Sequence, residues 1–273
     1  LWVALVFTSL LVVPFALWCN FALARVTQLT PHTNTSWLWL LSAVVTLGLP
    51  LALAAWKHSG ELRRLWQHRL ADKRNVPMAT TLDLSIDNPM FTGDGGSVVF
   101  LAEQDGQVPL FGLKPDGSGA ASVLFGEGSN SGLDVVNQRA VFLNEHTGRP
   151  PELFAMDLKG GPARQLTRFN EDLFNTLDLG KVESHRFQGA GGDTVHMWVT
   201  YPPGFDPRKK YPLVQLLHGG PHTMVRDAFS YRWNSHVFAS PGYIVASVNR
   251  HGSTGFGEAF ARSINGAWGD KPM

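Results

Sequence analysis

The chain is poor in the residues that mark several function classes. It has one cysteine, Cys19, so no intrachain disulfide framework can form and the redox compartment is not readable from cysteine usage. It has no His-Glu-x-x-His and no Cys-x-x-Cys, so neither a metal nor any other cofactor is expected. The phosphate-cradling Gly-x-x-x-x-Gly-Lys is missing as well. Charge is nearly balanced, with 23 Lys+Arg against 22 Asp+Glu, so no global field points to nucleic acid or an acidic substrate, and no nucleic acid is expected as a partner. Most tellingly for hydrolytic chemistry, no Gly-x-Ser-x-Gly occurs. Gly128-Ser129-Asn130-Ser131-Gly132 has asparagine in the central place, and Gly252-Ser253-Thr254-Gly255 has the wrong spacing.

Charge is also absent locally. No Asp, Glu, Lys or Arg occurs from Leu1 to Ala24, nor from Val26 to Trp56. The apolar runs Leu1–Leu23 and Trp37–Trp56 each approach the ~20 residues that carry a helix across a ~30 Å hydrocarbon core. Tryptophans 2, 18, 37, 39 and 56 fall near the run ends, where amphipathic rings favour headgroups. Pro14 and Pro50 are tolerated better in membrane helices than in soluble ones. Two transmembrane helices in residues 1–56 are therefore expected, with the lipid bilayer as partner; a signal peptide or buried core helices are the alternatives. Lys57, Arg63, Arg64, Arg69, Lys73 and Arg74, opposed by Glu61 and Asp72, form a basic linker over residues 57–79. That excess places the following residues on the cytoplasmic side. If the amino-terminal segment is joined from unrelated sequence, a periplasmic or secreted location is the alternative.

From about Thr80 the chain turns to short β-type segments. Val98-Val99-Phe100-Leu101 is echoed by Ala140-Val141-Phe142-Leu143, and Pro109-Leu110-Phe111-Gly112-Leu113 by Glu152-Leu153-Phe154-Ala155-Met156, at an offset of 42 to 43 residues. A period of ~40–45 residues with several strands per unit marks β-propeller blades, with a generic antiparallel meander as the alternative. A partial β-propeller of about two blades is expected over residues 80–179. Lys181–Phe187 and Val195–Thr200, separated by Gly189-Ala190-Gly191-Gly192-Asp193, read as a hairpin.

Next, Tyr211–Leu217 is an apolar run of the kind buried in a parallel sheet, and it leads into His218-Gly219-Gly220-Pro221-His222. Residues Ser230–Ser240 fit a crossover helix with Tyr231, Val237 and Phe238 on one face, and Tyr243–Val248 is the next strand, which makes a βαβ unit. A Gly-Gly pair at the end of a sheet strand lets the backbone aim a free N–H at a substrate oxygen. Alone, it is an ordinary turn.

It is followed in order by Asp227-Ala228-Phe229-Ser230-Tyr231-Arg232-Trp233-Asn234, Pro241-Gly242-Tyr243, Asn249-Arg250-His251-Gly252-Ser253-Thr254-Gly255-Phe256-Gly257 and Trp268-Gly269-Asp270-Lys271-Pro272. This succession resembles the prolyl oligopeptidase family of serine peptidases, nearest to its dipeptidyl and acylaminoacyl peptidases. The resemblance covers about Thr80–Met273. It implies a β-propeller followed by an α/β-hydrolase domain, of which residues 180–273 would be the incomplete start. It further implies an oxyanion-hole donor at the backbone N–H of Gly220, a structural loop at Gly252–Gly257, and a peptide substrate. Many members carry Pro-Arg where this chain has Arg250-His251, so an arginine role at position 251 is in doubt. The family's nucleophile elbow would follow Trp268, and its Asp and His later still. Both ends are thus expected to be cut, the chain starting on Leu1 and stopping on Met273 before the catalytic serine. Such a fragment of a serine-type peptidase is expected to be inactive by itself. The alternative is a membrane-anchored, non-catalytic binding or scaffold protein with a degenerate hydrolase segment.

Overall fold

The computed structural model describes residues 59–272. The chain first forms the antiparallel hairpin β1 (Leu65–Arg69) and β2 (Arg74–Met78), in register from Leu65 opposite Met78 to Arg69 opposite Arg74. The stretch expected as a plain basic linker is therefore partly strand.

Four strands follow as an antiparallel meander, β3 (Ile86–Phe91), β4 (Val98–Ala102), β5 (Leu110–Leu113) and β6 (Ser122–Phe125). The turn between β3 and β4 is shaped by Asp94, whose Oδ1 accepts from the Gly96 N–H at 2.9 Å and from Thr92 Oγ1 at 2.8 Å. A second meander repeats the pattern with β7 (Ser129–Val136), β8 (Arg139–His146), β9 (Arg149–Asp157) and the short β10 (Arg164–Gln165). The sequence repeat falls on the second and third strands of each meander. Phe100 of β4 lies opposite Phe111 of β5, with stacked rings 5.4 Å apart. Phe142 of β8 lies opposite Phe154 of β9 in the same way, at 6.2 Å. One cross-strand aromatic pair per unit is what the offset records.

Every residue of β4 is buried, because alternate side chains enter different cores. Val98, Phe100 and Ala102 join Met78, Leu84, Ile86 and Phe111. Val99 and Leu101 face the other way, toward Leu133, Ala140, Phe142 and Met156 of the second meander. Met224, from the loop that follows Gly220, is part of this second core, and Phe256 packs against it. The site loops are thereby anchored on the meanders.

After the one-turn helix α1 (Glu171–Phe174), the chain builds a mixed sheet. Its strands are β11 (Val182–Gln188), β12 (Thr194–Thr200), β13 (Leu213–Leu216) and β14 (Ile244–Asn249), arranged β11-β12-β14-β13. β11 and β12 are the expected hairpin. β14 runs antiparallel to β12 and parallel to β13, as a βαβ unit requires. The crossover helix α2 covers only Ser235–Ala239, starting where Asn234 Oδ1 caps the His236 N–H at 2.9 Å. A last short helix, α3, spans Glu258–Arg262.

Three expectations need correction. The apolar face assigned to the crossover helix is not its buried one: Tyr231 and Val237 are exposed, and Ser235, His236 and Ala239 are buried. Nor is the run Tyr211–Leu217 buried among the described residues: β13 pairs on one side only there, and Leu213 and Leu217 are exposed. The described residues are mostly sheet with few and short helices, and the third correction concerns the membrane. No helix among the described residues is long and apolar enough to cross one, so the expected two spans and the membrane location drawn from them find no support in the described structure. The runs in residues 1–56 that prompted both expectations lie outside the described residues.

Candidate functional site

β13 and β14 run parallel, and the candidate site lies at their carboxyl ends, where open α/β sheets place ligands. β13 leads into His218-Gly219-Gly220 and β14 into Arg250-His251-Gly252.

Gly220 is exposed, and among the described residues its backbone N–H has no protein acceptor. Neither Gly219 nor Gly220 has a positive φ, so glycine is not required here for a left-handed turn. It allows a close approach of the Arg250 guanidinium. A Cβ on Gly220 would stand 2.7 Å from Arg250 Nη2 and 3.4 Å from the Trp268 ring. Arg250 lies over that ring, its guanidinium carbon 5.3 Å from the centroid. Burial holds its pKa below the ordinary arginine value.

The neighbouring loops are sewn together by side chains. His218 Nδ1 lies 2.6 Å from the Gly219 carbonyl and 3.0 Å from Thr223 Oγ1, while Nε2 faces Ser253 Oγ at 3.2 Å. The carbonyl can only accept, so Nδ1 carries the proton and Nε2 accepts from Ser253. Burial depresses the His218 pKa and keeps the ring neutral. Ser253 therefore has a histidine partner but is fully buried, out of reach of a peptide carbonyl. On the next residue, Thr254 Oγ1 donates to Glu103, which ties this loop to the first meander.

Asn249 spans the gap behind the site. Its Oδ1 accepts from the Val225 N–H at 2.7 Å, and its Nδ2 donates to the Val225 carbonyl and to His196 Nδ1, both at 2.9 Å. His251 is buried, with Nε2 3.0 Å from Asp193 Oδ2 and its ring stacked on Phe260 at 4.7 Å. Position 251 thus holds the hairpin turn against the loop, with its ring buried in the wall beside the site. Gly252 sits at φ +93°, and a Cβ there would press on Ile264, with Cγ1 at 2.9 Å. Gly252→Ala should lose about 2–3 kcal/mol from backbone strain and overpacking combined, read as a lowered urea midpoint. A midpoint unchanged from the parent would show that Ile264 yields freely.

Sequence reasoning singled out Gly220 and left Arg250 as a mere departure from pattern. The structure brings the two together. The signal available was the Arg250–Trp268 pairing within one motif succession, which only folding turns into a contact.

The model of the prolyl oligopeptidase family matches residues 229–273. The dipeptidyl-peptidase 5 of Porphyromonas gingivalis is 28% identical over 216 residues, covering 79% of this chain and 32% of that protein. The dipeptidyl-peptidase 5 of Aspergillus fumigatus is 32% identical over 231 residues, covering 79% of this chain and 30% of that protein. Among solved structures, the uncomplexed acylaminoacyl peptidase of Pyrococcus horikoshii superposes with a TM-score of 0.66 at 26% identity, covering 78% of this chain and 32% of its own. The chain spans about a third of the length of these relatives. On the family match, these relatives and the shared fold together, the chain belongs to the prolyl oligopeptidase family.

Proposed function

We propose that this chain supplies the oxyanion-holding part of a serine peptidase site that releases short peptides or aminoacyl groups through an acyl-enzyme. The observation that carries the reading is the unpartnered N–H of Gly220 at the end of β13. A preorganised donor in that place, aimed at the oxygen that becomes negative in the tetrahedral intermediate, contributes about 2.7–4 kcal/mol to transition-state stabilisation. In such a mechanism a serine hydroxyl attacks the peptide carbonyl carbon as histidine removes its proton. The carbonyl oxygen takes the negative charge, and the histidine then returns the proton to the leaving amine.

The 273 residues contain no nucleophile elbow, and Ser253 is buried with its hydroxyl committed to His218. The chain by itself should neither turn over chromogenic dipeptidyl or aminoacyl substrates nor react with a fluorophosphonate probe. A gene product that includes a Gly-x-Ser-x-Gly downstream should be labelled at that serine. Labelling of Ser253 in the 273-residue chain, or a gene whose full product lacks any such serine, would overturn the reading.

A further inference from the structure

A cavity of about 220 Å³ opens at the carboxyl ends of β13 and β14, beside the candidate site. Its apolar wall includes Phe187, Val195 and Leu217. The charged groups on its wall are both cations, Arg250 and Lys271, joined by the rings of His218 and His251, and no aspartate or glutamate lines it. Asp193, next to the cavity through His251, is already engaged by that ring at 3.0 Å.

Arg250 is half-buried yet makes no ion pair among the described residues. It is held by three other contacts: Nη1 donates to the His251 carbonyl at 2.9 Å, the guanidinium lies over Trp268, and Nη2 lies against Gly220. These contacts fix the plane of the fork without neutralising it. Removing a cation from water without a counter-charge is unfavourable, and the arrangement is balanced when a ligand brings the anion. A guanidinium matches a carboxylate geometrically, through paired N–H donors.

From the charge and shape of this wall we propose that the cavity is a carboxylate subsite, with Arg250 as its anchor and Lys271 as its second cation. It takes the side chain of an acidic residue next to the peptide bond presented to Gly220. The word substrate here rests on the peptidase reading above; the anion site itself does not.

The test is a ¹H–¹⁵N chemical-shift titration of the 273-residue chain at low salt with three small probes. N-acetyl-L-glutamate α-amide carries only the side-chain carboxylate, N-acetyl-L-glutamine only the α-carboxylate, and N-acetyl-L-glutamine amide neither. The first should bind roughly tenfold more tightly than the neutral probe, as a charge-assisted contact at a solvent-open cavity allows. Equal binding of the neutral probe, or a preference for the α-carboxylate, would overturn the proposal. Arg250→Gln should abolish the preference, while Arg208→Gln, which removes an exposed arginine paired to Asp206, should leave it intact. If Arg250→Gln fails to fold, Lys271→Gln and salt decide. The preference must weaken in the lysine variant and shrink toward nothing at 1 M salt. Persistence through both would sink the idea. Because these titrations score binding without turnover, they stand or fall separately from the fluorophosphonate result.

Discussion

Phe142→Ala should lower the stability of the chain by about 3–5 kcal/mol, the range for removing a fully buried phenylalanine and leaving its cavity. Phe142 has no exposed surface and lies at the centre of the second core. Its ring contacts Phe125 at 5.4 Å and Phe154 at 6.2 Å, so truncation removes two aromatic contacts along with the buried area. The neighbours cannot close the gap cheaply. Phe125 and Phe154 are fixed by strand register, and Leu110, Leu133 and Met156 are themselves immobilised in the same cluster. Urea unfolding followed by tryptophan fluorescence should show the midpoint falling by about 1 M or more. The tryptophans that report are instructive. Trp198 lies in β12, outside the meander that carries the mutation. Met224 and Phe256 join the site loops to the mutated core, so Trp198 and far-ultraviolet circular dichroism should shift together. A loss under about 1 kcal/mol would contradict the packing described, against the range given for such truncations.

That core was legible in the sequence because its two halves repeat. Phe100 and Phe111 recur as Phe142 and Phe154, each flanked by apolar residues and turn residues that place them on adjacent strands. The hairpin of β11 and β12 was equally plain, since alternation and a glycine-rich turn are local signals. Errors arose where burial depends on distant neighbours. The run ending in Leu217 looks buried in a parallel sheet, but apolarity does not say how many strands lie beside it, and among the described residues β13 has one neighbour. Tyr231 and Val237 have helical spacing with Phe238, yet Asn234 caps the helix after Tyr231 and Ser240 closes it after only five helical residues. The candidate site was half legible. Gly220 announces itself by its place after a strand, whereas the role of Arg250 depends on contacts with Gly220 and Trp268, on either side of it in the chain. The network around Asn249 joins residues from the hairpin, the Gly220 loop and β14, and no local pattern marks it.

That network sets the second large effect, a loss of stability on mild acidification. His196 is buried, and its ring lies 5.1 Å from Trp198 and 5.5 Å from Phe256. Burial is the main reason its pKa falls to about 4, with the nearby Arg186 charge adding to the shift and Asp105 partly opposing it. Hydrogen bonding points the same way. Both Asn249 Nδ2 protons are committed, one to the Val225 carbonyl and one to His196 Nδ1, so Nδ1 must present a lone pair. Nε2 then donates to Ser184 Oγ at 3.0 Å. Protonating Nδ1 would set one donor against another inside the fold. In the unfolded chain the ring titrates near its ordinary value of about 6.5. The folded state therefore binds fewer protons between the two values. Stability is full above pH ~6.5, declines as pH falls toward 4, and levels below that for this group. A shift of this size corresponds to at most about 3 kcal/mol. His146, His218 and His236 are depressed in the same direction by burial and steepen the decline. Glu183, lowered to about 2 chiefly by its bond from Lys181, acts in a separate window below pH ~4.5 and does not blur the measurement. Urea midpoints between pH 7.5 and 4.5 should fall in the parent chain. In His196→Gln they should start lower and fall less steeply, because glutamine has no proton to gain. Parallel slopes for the two proteins, or a His196 Cε1 resonance titrating above pH 6, would show that the ring is not held neutral by this network.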